Sequence, residues 1–205
     1  MEIVLFIKGL ILGFLIAAPV GPMGLLCIRR TLAQGLLSGC FSGLGTATAD
    51  ALYGCIAAFS LTAIATLVLE QQFYLRLFGG VFLLYLGYTA FTAAPGEPTA
   101  KPGDKRLLTT YISAFFLTLT NPLTIMSFAA VFAGLGLGEA GGNYQAAGVL
   151  VLGVFIGSML WWLALSSLVV LLRSRFDHKR LAWINRLAGI IIAGFGLVSL
   201  IASLS

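Results

Sequence analysis

The sequence predicts an all-α integral membrane protein with six transmembrane helices, arranged as two inverted three-helix repeats. Its composition supports a membrane protein, because 60% of the 205 residues are hydrophobic and 9% are charged, whereas soluble domains carry about 25% charged residues. Six apolar segments are each long enough to cross a bilayer, which takes roughly 20 residues. A polar linker divides them into three plus three, and an odd number of spans per half gives the halves opposite orientations.

The six candidate spans leave no room for a separate soluble domain. Residues 1–93 form the first predicted repeat, 94–107 a cytoplasmic linker and 108–205 the second repeat. The first span lacks a basic n-region and a clear small-residue cleavage site, so it is predicted to be a permanent helix rather than a signal peptide. The spans run over about 5–28, 35–60, 74–93, 108–135, 147–172 and 184–203.

The first and fourth spans are predicted to be interrupted at proline. Three of the six prolines lie in the linker, and the other three are Pro19, Pro22 and Pro122, within spans 1 and 4. A proline inside a helix removes an N–H donor and clashes with the preceding turn. In lipid, a broken helix persists only against protein or a water-filled cavity. Matching interruptions in the two halves of a transporter indicate its binding site.

The interrupted helices also predict which ligand chemistry fits between them. A half-helix that begins after Pro22 presents unbonded N–H groups and a positive dipole end, which suit a carboxylate. Carbonyls exposed before the break suit an ammonium group or another cation. A zwitterion such as an amino acid matches both, and Gly21 and Asn121 complete the predicted site. The alternative is that these prolines only kink the helices for packing.

Asp50 is the acidic residue expected deep in the membrane, since the other six lie at segment ends or in loops. It lies about fifteen residues into span 2, near the bilayer centre. An aspartate there costs about 2.5–3.5 kcal/mol, so it faces a cavity or the bundle interior and is functional by default. Thr46 and Tyr53 share its helix face. Asp50 is therefore a candidate proton or substrate site; the alternative is a protonated side chain bonded to Thr46, to Tyr53 or to a helix break.

Each half also carries a Gly-x-x-x-Gly pair in its second span, at Gly39 and Gly43 and again at Gly153 and Gly157. Small residues at this spacing let helices approach closely in lipid. Such a seam could lie within the chain or between the subunits of a homodimer. The position equivalent to Asp50 in the second half is Ala164 or Trp162, depending on the glycine register used, so the predicted site is asymmetric.

The basic residues predict the orientation in the membrane. Ten of the twelve lysines and arginines lie in loops 1–2, 3–4 and 5–6, and short loops rich in these residues stay cytoplasmic. Both termini are therefore predicted outside, in a bacterial-type inner membrane. Arg29 and Arg30 are interpreted as anchors at the inner face; the alternative is contact with an anionic group at the cytoplasmic mouth. Trp161 and Trp162 are interpreted as packing residues, with a cavity-lining role as the alternative.

Other classes of function lack the residues that they need. The basic residues have no interleaved aromatic patch for nucleic acid. Cys27, Cys40 and Cys55 form no C-x-x-C pair and have no histidine cluster beside them, so neither a metal site nor a redox pair is predicted. The spans contain no nucleophile paired with a base, and the chain is predicted to be neither an enzyme nor a cofactor protein.

Two motifs resemble those of the lysine-exporter superfamily (LysE/RhtB). The first is Pro19-Val-Gly-Pro-Met-Gly24, followed by Leu32-Ala-x-Gly35-x-x-x-Gly39-x-x-x-Gly43-x-Gly45 and Asp50; the second is Asn121-Pro122-x-x-x-x-Ser-Phe128. The resemblance covers nearly the whole chain. It implies export of amino acids or related small metabolites by proton antiport. The functional candidates that it carries over are Pro19, Gly21, Pro22, Asp50, Asn121 and Pro122.

One departure from the family pattern leaves the substrate open, because Met23 stands where many members have Asn or Gln. The predicted function is a secondary transporter that exports amino acids or related small metabolites. A cation exporter of related fold would favour more acidic or thiol ligands near the breaks. A membrane thiol oxidoreductase would need paired cysteines in both halves, and a non-transport scaffold would leave Asp50 and the breaks without a role.

Overall fold

The computed structural model describes residues 2–19, 21–58, 71–92, 104–121, 124–128, 144–173 and 178–204. These residues are helical apart from short connections, and no strand occurs among them, which confirms the all-α prediction. A short helical segment covers 124–128. The longer helices are α1 (Glu2–Ala17), α2 (Pro22–Gln34), α3 (Leu36–Ala58), α4 (Gln72–Phe91), α5 (Asp104–Leu119), α6 (Tyr144–Arg173) and α7 (His178–Leu204).

Several of these helices have the length and composition of membrane spans. Helix α6 and the Ala182–Ser203 part of α7 each qualify alone, and α1 and α2 qualify together as one span bent by 80°. Shorter apolar helices cover Arg76–Phe91 and Arg106–Leu119. The described helices thus give two spans, or three if the bent pair is one span. The six-span arrangement stays a prediction.

The exterior of the described helices is apolar, unlike that of a soluble protein, and several polar side chains are buried. Large apolar side chains point outward, as at Phe78 and Leu171, which are 67% and 74% exposed. Hydroxyl groups lie inside, as at Ser42 and Ser158, which are 1% and 0% exposed. Lipid favours this distribution, because polar groups in a membrane protein face the bundle interior.

The interruption predicted in the first span lies between α1 and α2. Helix α1 ends at Ala17, and α2 begins with Pro22 at its first turn, where the absent N–H would have no helical partner. Gly21 caps α2 in an extended conformation with no side-chain cap. The N–H of Leu25 donates to the Gly21 carbonyl at 3.2 Å. Gly35, at a φ of 87° that favours glycine, then allows the chain to turn into α3.

The helical pattern is also interrupted after α5. This helix ends at Leu119, and the N–H of Asn121 donates back to the Thr118 carbonyl at 3.2 Å. The N–H of Ile125 then donates to the Asn121 carbonyl at 3.2 Å, which starts the short segment 124–128. Pro122 lies outside the described residues.

Glycine seams hold the helices together. Helix α1 packs along α6, α3 lies between α5 and α6, and α4 packs along α7. A Cβ added at Gly9 or Gly13 would collide with the α6 backbone, and one at Gly153 or Gly157 would collide with α1. The Gly153 and Gly157 pair was predicted to form a seam either within the chain or between the subunits of a homodimer. The structure shows the seam within the chain. The buried core gathers around α2, which contacts α3, α6 and α7.

Candidate functional site

Asp50 lies in the middle of α3 and is 2% exposed. The hydroxyl of Ser158, on α6, donates to Asp50 Oδ2 at 2.7 Å. Trp162 Nε1, one turn further along α6, donates to Ser158 Oγ at 3.2 Å. This relay from Trp162 through Ser158 fixes the orientation of the Asp50 carboxyl group.

A cavity of about 160 Å³ lies beside Asp50. It is formed where the first helix break, α3, the start of segment 124–128, α6 and α7 meet. Five of the eight residues predicted for the site line it: Asp50, Thr46, Pro19, Gly21 and Asn121. The other lining residues are Ile16, Ala17, Met23, Thr124, Ser127, Trp162 and Phe195. The tertiary structure thus brings together residues from five separate stretches of the sequence.

Two of the remaining three predicted residues, Pro22 and Tyr53, do not line the cavity. Pro22 is fully buried at the start of α2 and is not among the lining residues. Tyr53 connects α3 to the end of α5, because its hydroxyl donates to the Leu119 carbonyl at 2.6 Å and its ring stacks on Phe128 at 5.5 Å. Tyr53 therefore supports the second break from behind. Pro122 lies outside the described residues.

The alternative in which Asp50 bonds to Thr46 or Tyr53 is wrong. The Thr46 hydroxyl donates to the Ser42 carbonyl of its own helix at 3.1 Å, and Tyr53 donates to Leu119. The partner is instead Ser158, which the sequence interpretation did not include. A weak signal existed, since one glycine register places Trp162, the donor to Ser158, at the position equivalent to Asp50.

Trp162 lines the cavity and is 3% exposed, so the structure supports its cavity-lining alternative in addition to packing. Because Gly43 has no side chain, Trp162 can pack directly against α3 at this residue. A Cβ added at Gly43 would collide with Trp162 Cβ, which cannot move independently of the α6 backbone. The first Gly-x-x-x-Gly pair thus brings Trp162 and Ser158 against the face of α3 that carries Asp50.

The charge of this cavity comes from one acidic group. Among the described residues, Asp50 makes no ion pair, and the other polar groups that line the cavity are neutral hydroxyls, an amide and backbone. A buried carboxylate without a cation is costly, so it is stable when protonated or when a cationic group binds beside it. The arrangement can therefore hold a proton or an ammonium group.

Arg29 and Arg30 form hydrogen bonds between helices. The guanidinium of Arg30 donates to Ser42 Oγ at 3.2 Å, to the Thr110 carbonyl at 3.0 Å and to Ser113 Oγ at 2.7 Å. The guanidinium of Arg29 donates to the Thr89 carbonyl at 2.8 Å. The two side chains therefore tie α2 to α3, α4 and α5.

The described helices have an apolar exterior, and a cavity with one acidic side chain lies at the first helix break. The chain belongs to the LysE type translocator family, whose model matches residues 14–203. It is therefore an integral membrane transporter and not an enzyme, which confirms the resemblance found in the sequence.

Relatives of known name are similar over much of the chain. The "Putative amino acid efflux protein YcgF" of Bacillus subtilis (strain 168) is 27% identical over 94% of this chain and 93% of its own length. The "Threonine efflux protein" of Escherichia coli (strain K12) is 30% identical over 58% of this chain and 60% of its own length. The "Uncharacterized membrane protein YahN" of the same strain is 26% identical over 83% and 77%. No solved structure shows a significant match to the chain.

Proposed function

We propose that this protein exports amino acids or related small metabolites and that they bind in the cavity beside Asp50. The observation that carries the proposal is the meeting of Asp50 with both helix interruptions around one buried cavity. The relatives named as amino acid and threonine efflux proteins support the substrate class. A volume of about 160 Å³ favours a small substrate, since pockets for drug-sized ligands have roughly 300–1,000 Å³.

The groups around the cavity suit the two charged ends of an amino acid. Gly21 gives α2 no side-chain cap, so the first N–H groups of α2 and its positive dipole end are available to the substrate carboxylate. The Asp50 carboxylate then pairs with the substrate ammonium group. Hydroxyls at Thr124 and Ser127 line the same cavity and are placed to contact a polar side chain.

Proton antiport follows from competition for one carboxylate. Asp50 binds either a proton or the substrate ammonium group, because a buried carboxyl group is stable only when its charge is removed or matched. A proton that arrives from outside displaces the ammonium group, and the substrate leaves. When that proton departs to the cytoplasm, the carboxylate becomes ready for the next substrate.

The contacts between helices support two inverted three-span repeats. In such a repeat, the α1 and α2 pair of the first half corresponds to α5 with segment 124–128 in the second half. Helix α3 corresponds to α6, and α4 corresponds to α7. Under this exchange the α1–α6 contact becomes the α5–α3 contact, and the α3–α6 and α4–α7 contacts map onto themselves. Both breaks then lie at equivalent positions beside one site, as inverted-repeat transporters have them. In this arrangement both termini lie on the outer side of the cytoplasmic membrane.

The decisive experiment is a substrate screen in proteoliposomes with an imposed pH gradient. Each common amino acid, radiolabelled, is loaded inside, and its exit is followed with and without the gradient. We expect the exit of at least one small amino acid to be driven by inward proton movement. Movement of inorganic cations with no amino acid moving would contradict the proposal and favour the cation-exporter alternative.

A further inference from the structure

We infer that a second cavity, lined by Arg29 and Arg30, is an access site that binds the carboxylate of the substrate before it reaches Asp50. This inference rests on the proposed function for its substrate class. The cavity has a volume of about 310 Å³ and lies among α2, α4 and α5. Tyr85, Thr89 and Arg106 are also among its lining residues.

The two arginines carry charge that their bonds do not neutralise. Among the described residues, every acceptor of Arg29 and Arg30 is a neutral carbonyl or hydroxyl oxygen. A guanidinium has five N–H donors. Arg30 uses three of them in these bonds and Arg29 uses one. Two adjacent, partly buried cations therefore keep unused donors beside a cavity large enough for a small anion.

The bonds that the arginines do make hold them in place for a ligand. Arg30 is fixed by α3 and α5 and Arg29 by α4, so both guanidinium groups are positioned before an anion arrives. A carboxylate matches the planar fork of a guanidinium, which can donate two parallel hydrogen bonds to it. Hydroxyls of Thr109 and Thr110 also line the cavity.

The position of this cavity places it on the path to Asp50. Arg30 bonds to Ser42, which precedes Asp50 on α3 by eight residues, or about 12 Å along the helix axis. Helix α2 borders both cavities, with Leu26 at the arginine cavity and Met23 at the Asp50 cavity. These two side chains are 2% and 6% exposed and pack in one core with Trp162. They form the apolar layer that must open to connect the cavities.

Thiol labelling of Ala33→Cys tests the charge of the cavity without any transport. Ala33 is exposed, lines the cavity and lies three and four residues beyond the arginines on α2. Cys40 and Cys55 are replaced by alanine, whereas the buried Cys27 is kept. The probes are a sulfonate-bearing and a quaternary-ammonium methanethiosulfonate of similar size. We expect the anionic reagent to react about fivefold faster, as two cations within several ångströms would produce. Equal rates, or a faster cationic reagent, would overturn the inference.

Neutralising variants assign the effect to the arginines. Arg29→Gln should reduce the ratio of the two rates about twofold. Arg186→Gln, which removes the same charge from an exposed position on α7, should leave the ratio unchanged. If both variants lowered the ratio equally, general surface charge would explain it and the inference would be wrong.

Protection experiments identify the source of the anion. Each common amino acid is tested for slowing of the anionic reagent, together with the carboxamide of any amino acid that protects. Protection by an amino acid but not by its carboxamide supports the inference. Protection by inorganic phosphate alone would assign the cavity to free anions. Slower labelling in vesicles of phosphatidylglycerol than in phosphatidylcholine, with no amino acid protecting, would assign it to lipid headgroups. Either of these two results would overturn the inference.

Transport kinetics separate this inference from the proposed function. Arg29→Gln should raise the KM about tenfold for substrate supplied from the side of the membrane to which the arginine cavity opens. The kcat should stay within about twofold. Loss of one charge-assisted hydrogen bond predicts a change of this size. An unchanged KM with active transport would overturn the access site and leave the exporter intact. Absence of all amino acid transport, in wild type as in the variant, would instead contradict the exporter and the access site built on it.

Discussion

The two cavities that α2 borders carry side chains of opposite charge and have different surroundings. The Asp50 cavity contains one buried carboxyl group, which accepts a hydrogen bond from Ser158 and has no cation within the described part of the chain. The arginine cavity is lined by three guanidinium groups, of which those of Arg29 and Arg30 donate to neutral oxygens. One cavity thus suits a cationic group and the other an anionic group, as sites for the two ends of a zwitterion would. Four variants can break or sharpen this comparison.

Asp50→Asn should have the largest effect, a loss of pH-driven export of at least about a hundredfold. An amide keeps the shape but can neither ionise nor pair with an ammonium group, and loss of a buried charge partner costs about 3–5 kcal/mol. Export from proteoliposomes measures the loss. The anionic labelling preference at Ala33→Cys should persist in this variant. Full export in Asp50→Asn would remove both the proton and the substrate role of Asp50.

Arg30→Gln should affect stability more than any other single charge change at the arginine cavity. It removes three hydrogen bonds that join α2 to α3 and α5, worth about 3 kcal/mol together. Thermal unfolding in detergent should show a clearly lower midpoint, whereas Arg29→Gln, with one bond lost, should lower it about a third as much. Equal midpoints for the two variants would show that the Arg30 bonds contribute little.

Gly43→Ala should disturb the Asp50 cavity alone. The added methyl group collides with Trp162, and overpacking of this kind costs about 1–3 kcal/mol. Export should fall and the tryptophan fluorescence should shift, with unchanged labelling at Ala33→Cys. Gly148→Ala is the matched control, because a Cβ there meets nothing within 4 Å. Similar losses in both variants would point to a general effect of alanine on the helices.

Ser158→Ala should have the smallest effect. It removes a hydroxyl that donates to Asp50 and accepts from Trp162, and one such bond is worth about 1 kcal/mol. Export should fall about fivefold at saturating substrate, with a smaller loss of thermal stability than in Arg30→Gln, which loses three bonds rather than two. Ser166→Ala, another buried serine on α6, serves as the comparison. A greater loss of export in Ser166→Ala would argue against a positioning role for Ser158.

Local patterns explain why several site residues were predictable. Proline at 19 and 22 cannot continue a helix, so the first break follows from covalent geometry. Asp50 could be recognised because a single acid in a long apolar segment is costly wherever that segment packs. Ser158 and Trp162 could not be recognised in this way, since a serine and a tryptophan are ordinary in an apolar helix. Their role depends on which face of α6 meets α3.

The sequence by itself determined the membrane class, the position of the first break and Asp50 as a single acid in a long apolar segment. These properties follow from composition, from the geometry of proline and from the cost of charge in lipid, which need no partner helix. The tertiary structure alone decided that Ser158 donates to Asp50, that Tyr53 supports the second break and that Arg29 and Arg30 border a second cavity. The physical reason is that hydrogen bonds and close helix contacts join residues far apart in the chain, and glycine seams set which faces meet.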